Sequence, residues 1–277
     1  MENEQLTMDI SVIGVLEDQD ILLDFAALAL SQLDHEECDL NKYIERLDEI
    51  EERVCQEGRS AFLSSERAIV LAEVLHDELG FIGDAEAYDA PVNADFIRVL
   101  DRKQGLPISL SILYVAMARR AGWTAHVLNG PGHVLVQIGE KNPVIIDPFS
   151  GGRQVNPKHF EALFHAFSDE VKTEGKVRFT QMSNRQILAR LLFNQAIRAE
   201  KNHDAERALT VYERITKIAP ETADVWHHLA RLRLALGDTD GARASLMAMS
   251  EVTSDKHVRA QIMAAFQALD GTGPKLH

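Results

Sequence analysis

Apolar residues crowd the chain from Ile21 to Leu33. From Leu40 they return at Tyr43, Ile44, Leu47, Ile50 and Val54, with acids between them. That three-and-four spacing draws one apolar stripe along a helix, so the pattern predicts two helices. A third amphipathic run, Ser65 to Leu79, stops at Gly80, and Ser64 or Ser65 is placed to cap its start. After a loop with Gly83, Pro91 and Asn93 comes a segment that is apolar nearly all round, Pro107 to Arg120. It carries the marks of a buried helix: proline in the first turn, Arg119 and Arg120 at the negative end of the dipole, and Gly122 as C-terminal cap. Strand-like runs follow at Thr124–Leu128, Val134–Ile138 and Val144–Ile146, divided by Asn129-Gly130-Pro131-Gly132 and by Glu140-Lys141-Asn142. A buried helix backed by antiparallel strands is an α+β arrangement.

From about Asn184 the chain repeats itself. Ala208 and Tyr212 return 34 residues later as Ala242 and Leu246. Trp226, Leu229, Ala230 and Gly237 stand at the spacings of a tetratricopeptide repeat, whose period is 34 residues. In the earlier unit, which ends at Pro220, Leu192 replaces the tryptophan and His203 the glycine. A last helix, Lys256 to Leu269, turns Ile262, Ala265, Phe266 and Leu269 inward and caps the stack. Two repeats and a cap fall short of the three or so repeats that usually stand alone, so the array is expected to lean on the preceding domain.

Composition adds a charge asymmetry. The chain has 277 residues and a net charge of −14, yet residues 1–60 alone hold 17 Asp and Glu against 4 Lys and Arg. Such a surface repels phosphate backbones, and no basic stripe elsewhere offsets it, so direct nucleic-acid binding is not expected. No apolar run approaches the ~20 residues of a membrane span, and the first fifteen residues lack the pattern of a leader. A cytoplasmic protein is expected, with Cys38 and Cys55 as reduced thiols.

Candidate chemistry centres on the hairpin. His133 opens one strand and Asp147 closes the next, symmetric about residue 140, which sets them almost opposite one another on one face. An imidazole oriented by a carboxylate is the base half of a cysteine-nucleophile triad, whose nucleophile belongs at the N-terminus of a buried helix. That helix is the one that starts at Pro107. No phosphate-binding glycine loop, Gly-x-Ser-x-Gly elbow or His-Glu-x-x-His pair is present. His227 and His228 are adjacent and expected to point to different sides of a helix; His126, His159 and His165 read as surface or packing residues. No metal or cofactor site is expected.

The series Asn93, Val99-Leu100-Asp101-Arg102, Gly105-Leu106-Pro107, Arg119-Arg120-Ala121-Gly122, Pro131-Gly132-His133 and Ile146-Asp147-Pro148-Phe149 resembles the bacterial SirB-type regulator family. That family joins a transglutaminase-like domain, related to the papain-like architecture, to tetratricopeptide repeats. The resemblance implies an acidic helical segment over 1–82 packed on the core, a transglutaminase-like domain over 83–183, and two repeats with a capping helix over 184–277. In active enzymes of the transglutaminase-like type the helix begins with Gly-x-Cys, and counting back from Gly122 places that cysteine at Pro107.

Proline has neither a lone pair to attack with nor a proton to lose, so covalent acyl transfer at this position is blocked. Ser109 and Ser111 lie about 200° and 40° around the helix from position 107 and do not replace it. Cys38 and Cys55 sit on the N-terminal helices, away from His133. The reading that follows is a non-catalytic protein with a buried His133–Asp147 remnant, acting as a regulator or adaptor that binds a protein partner through its repeats. Tyr212 and Trp226 are candidate partner contacts there, although their positions suit the repeat core. The rival reading is a hydrolase or acyltransferase that uses His133 and Asp147 with an atypical nucleophile.

Overall fold

A computed structural model describes residues 9–35, 37–130, 133–155, 179–269 and 271. His159, His165 and the turn residues Pro131 and Gly132 lie outside them. The chain divides into two compact units. Glu17–Leu191 belongs to one, and Ile10–Leu16 joins the chain from Leu192 onward in the other.

The larger unit is built around one enclosed helix. In chain order its helices include α2 (Leu23–Gln32), α3 (Leu40–Glu57), α4 (Ser64–Ala72), α5 (Phe96–Arg102) and α6 (Pro107–Arg120); α1 (Ser11–Val15) belongs to the smaller unit. Every residue of α6 from Pro107 to Ala118 is buried, Ser109 and Ser111 included, as a sequence apolar nearly all round demands. Helices α2, α3 and α5 pack on it from the helical side, and strands β3 (Ala125–Gly130) and β4 (His133–Ile138) from the other. With β5 (Val144–Asp147) and the two-residue strands β6 (Arg153–Gln154) and β7 (Thr180–Gln181), these form an antiparallel sheet in the order β6-β5-β4-β3-β7. Ile82–Gly83 (β1) and Gln104–Gly105 (β2) make a separate parallel pair. The α+β class and the three expected strands are therefore present; β6 and β7 are too short and too exposed to leave an alternating pattern.

Two local expectations need correcting. Neither Ser64 nor Ser65 caps α4. Leu63 takes the N-cap position, and the Glu66 carboxylate accepts from the Phe62 and Leu63 N–H groups at 2.8 and 2.9 Å, which lowers the pKa of that acid. Ser64 Oγ instead donates to the Lys141 carbonyl. The helix also does not run regularly to Leu79: from Glu73 to Glu78 it widens into a π-helical turn, with Leu79 N–H reaching back five residues to Val74 O. Gly122, by contrast, ends α6 as expected, at φ +74°, with Trp123 N–H returning to Ala118 O.

The acidic N-terminal helices are tied to the core by one cation. Arg120, in the last turn of α6, donates to Asp24 at 2.6 Å, Asp48 at 2.7 Å and Glu51 at 2.8 Å, and lies over the Phe25 ring. Burial alone would lower its pKa; the surrounding carboxylates more than reverse that. Asp24 is 3% exposed, so Arg120 takes the place of the water that burial removes.

The smaller unit stacks α7 (Asn184–Lys201, from Leu192 on), α8 (Ala205–Ile218), α9 (Ala223–Ala235), α10 (Thr239–Val252) and α11 (Lys256–Leu269). The 34-residue period is visible in the backbone. His203 sits at φ +61° and Gly237 at φ +81°, and the next residues, Asp204 and Asp238, each cap the following helix. Ala230, Leu246, Met249 and Ile262 form a core against which Trp226, Ala265, Phe266 and Leu269 pack. The short α1 (Ser11–Val15) lies against α8, and Gly14 permits the approach: a Cβ there would stand 2.2 Å from the Lys217 carbonyl oxygen.

Replacing Arg120 with alanine strands the Asp24 carboxylate and is expected to cost about 3 kcal/mol. Asp48→Ala, at the exposed rim of the same cluster, is expected to cost less than about 1 kcal/mol. Urea denaturation of the two variants checks the ranking.

Candidate functional site

The first turn of α6 is fixed by a polar lattice from the loop before α5. Asn93, fully buried, accepts through its carbonyl from Leu106 N–H at 3.1 Å and Ser109 Oγ at 2.8 Å. Its side-chain amide donates to Ala87 O at 2.7 Å and its Oδ1 accepts from Arg102 at 2.7 Å. Arg102 reaches on to Asp84 at 2.9 Å. The Ala87 N–H and then Arg102 hold the Asp84 carboxyl below its ordinary range. Pro107 is buried at the helix start, where its fixed φ suits the first turn and its missing N–H leaves nothing unsatisfied.

His133 and Asp147 do meet. Nε2 of the imidazole lies 3.4 Å from Asp147 Oδ2. Their relation is diagonal rather than opposite: β4 and β5 pair Val136 with Ile146 and Ile138 with Val144, which centres the hairpin on residue 141. Continuing that register sets Asp147 beside Leu135, with His133 two residues further along the same face. The one-residue shift of the centre comes from Glu140 to Pro143, all of which stay outside the ladder.

Asp147 is the better-organised half. Its Oδ1 accepts from Phe149 N–H at 3.0 Å and its Oδ2 from the Ser150 hydroxyl at 2.7 Å, so the Asp147-Pro-Phe-Ser150 turn supplies two donors to its own first residue. Burial would raise this carboxyl; the hydrogen bonds from His133, Ser150 and Phe149 outweigh it and lower it. The expected burial of the pair holds for Asp147, 12% exposed at the side chain, and fails for His133, which is 38% exposed because it stands at the strand's open end. Ser150 was not singled out from the sequence, although an Asp followed by Pro and a Ser three positions on is a recognisable side-chain turn.

The other nucleophiles are placed elsewhere. Ser109 is fully buried and donates to backbone carbonyls of Asn93 and Leu106. Ser111 Oγ is buried without a hydrogen-bond partner among the described residues. Cys38 neighbours Tyr43, and Cys55 is exposed on α3; burial pushes both thiols up, away from the reactive thiolate. Tyr114 Oη, one helical turn beyond Ser111, is likewise unpartnered, and burial followed by the charges of Asp77 and Asp147 drives its hydroxyl upward. Gly152, at φ +75°, fits only as glycine here, since a Cβ would come 2.9 Å from the Tyr114 ring. Among the described residues no three His, Cys, Asp or Glu side chains gather as a metal site would need.

In the repeat unit, Tyr212 lies in the core and Trp226 packs against it while staying partly exposed. Tyr212 is fully buried, with its hydroxyl donating to Glu200 at 2.8 Å and its ring stacked on His228 at 4.8 Å. Trp226 packs into the core of the unit and donates to Pro220 O at 2.7 Å. His227 and His228 do not turn fully apart: their rings meet edge-on, 5.9 Å between centroids.

Residues 41–193, more than half of the chain, match the model of the Transglutaminase-like superfamily. The chain belongs to that superfamily. Residues 195–267 match a tetratricopeptide repeat model. A UPF0162 protein of Xylella fastidiosa strain 9a5c is 26% identical over 260 residues, spanning 92% of each chain. The human F-box only protein 21 is 33% identical over 99 residues, 32% of this chain and 16% of that protein. A crystal structure of menin, described as revealing the binding site for the Mixed Lineage Leukemia protein, aligns at a TM-score of 0.40 with 12% identity, over 91% of this chain and 73% of that one. Among the described residues no helix of this superfamily member is long and apolar enough to cross a membrane.

The lowered Asp147 carboxyl sets an acid limb. Its ionised form stabilises the fold above the unfolded-state pKa of about 3.9, and that stability is lost as pH falls toward the lower folded value. Asp147→Asn is therefore expected to flatten the loss of stability below about pH 4, measured by thermal unfolding between pH 2 and pH 6.

Proposed function

We propose that the protein is a non-catalytic transglutaminase-like scaffold that binds a protein partner through its tetratricopeptide repeats, in the manner of a regulator or adaptor. The observation that carries this is Pro107, buried in the first turn of α6 at the position where comparison with active transglutaminase-like enzymes puts the nucleophilic cysteine. The Asn93 lattice over that turn supports the same reading, since it spends the local donors and acceptors on structure. In this reading residues 83–183 carry the remnant site and 184–277 the repeats, with the acidic helices α2 and α3 laid on the core. His133 and Asp147 persist as a positioning pair without a group to activate. The partner is a protein rather than nucleic acid in this reading, because the chain's acidity disfavours a phosphate backbone.

One observation favours a second reading, a hydrolase or acyltransferase. His133 is part-exposed and its carboxylate partner is well held, as a general base requires. Direct assay separates the two. Acyl transfer, deamidation and amide hydrolysis are expected to be absent from the wild-type protein. Wild-type turnover that disappears in His133→Ala would sink the non-catalytic reading. In Pro107→Cys, the new thiol is expected to be alkylated more slowly than the exposed Cys55, because position 107 is buried. Faster alkylation that slows on His133→Ala would favour the second reading.

A further inference from the structure

A cavity of about 560 Å³ opens in the larger unit, away from the His133 pair, lined by Glu17, Asp18, Gln19, Arg119, His126 and Asn184 among others. Arg119 is half-buried there and held only by neutral acceptors. Its Nε–H donates to Ala125 O at 3.1 Å and an Nη1–H to Asn184 Oδ1 at 2.7 Å. Among the described residues it has no salt bridge and no further hydrogen bond. Asp18, the acid that acts on it, is already engaged: its two oxygens accept from Asn184 N–H and Arg185 N–H, both at 2.9 Å, closing the start of α7.

A guanidinium taken out of water without a carboxylate is costly, and three of its five N–H groups are left to point at whatever enters. Burial pushes the Arg119 pKa down, with only Asp18 opposing. On β3 beside it, the His126 ring makes no hydrogen bond among the described residues. Burial first, and then the Arg119 charge, lower its pKa against the pull of Glu140, so the ring is neutral at pH 7 and offers one donor and one acceptor.

We propose that this cavity binds a small zwitterion, of which a free α-amino acid is the simplest, with its carboxylate on Arg119 and His126 and its ammonium toward Glu17 and Asp18. The planar guanidinium fork matches a carboxylate, and the volume falls within the range of small-molecule pockets. The two acids at the rim select against a phosphate dianion and leave a simple carboxylate half-matched.

Isothermal titration of the full chain with glycine, L-alanine and L-leucine, at fixed ionic strength, tests this against acetate, methylammonium and inorganic phosphate. At least one amino acid is expected to bind saturably at one site, about tenfold or more tighter than acetate or methylammonium. Arg119→Gln is expected to weaken that binding about tenfold or more. His126→Ala, whose ring holds no hydrogen bond in the fold, is expected to weaken it less while leaving circular dichroism and melting temperature unchanged. Absence of saturable binding by all three amino acids would overturn the proposal. So would tighter binding of phosphate, or amino-acid binding that His126→Ala leaves intact.

Discussion

The enclosure of α6 governs the larger unit. A helix with twelve consecutive buried residues cannot touch water along its length, so helices and a sheet must surround it, and its polar ends must be satisfied by specific groups. Asn93 supplies the acceptor at one end, and Arg119 and Arg120 leave from the other. The acidic helices, which repel one another in isolation, become compatible with a compact fold because Arg120 draws Asp24, Asp48 and Glu51 to one point. Charge that reads as an outer coat in the sequence is partly an attachment.

The same enclosure bears on chemistry. The dipole at the start of α6 would favour an anion or a thiolate, yet the position is filled by a ring that needs no partner, and the neighbouring hydroxyl of Ser109 turns to backbone. The same unit holds a carboxylate with two donors from its own turn and a histidine at the end of β4 beside it. The transglutaminase-like fold holds these groups whether or not a reaction uses them, because Asp147 also organises its own turn.

The sequence made the buried helix, its Gly122 terminus, the three main strands and the repeat period legible, since each rests on local spacing or on a residue with one conformational use. The hairpin centre was misplaced by a residue because Pro143 and its neighbours sit outside the ladder, and alternation alone does not count unpaired residues. The π-helical turn at Glu73–Glu78 keeps a helical pattern of apolar residues and so leaves no separate mark. Arg119 looked like a dipole partner from its place in the last turn. Its neighbours Asp18 and Asn184 are far apart in sequence, and only folding brings them together. His203 is the reverse case: a residue that breaks the repeat consensus adopts the same left-handed backbone as Gly237.

The placement of α1 has a consequence for how the chain matures. Ile10 and Ile13 are buried against partners that include α8, so their burial waits on a helix synthesised roughly two hundred residues later. At ribosomal speeds of about 5–20 residues per second, that interval is on the order of 10–40 s. Throughout it, two isoleucines stay uncovered on a nascent polypeptide while the larger unit, Glu17–Leu191, is itself still being made and begins to fold.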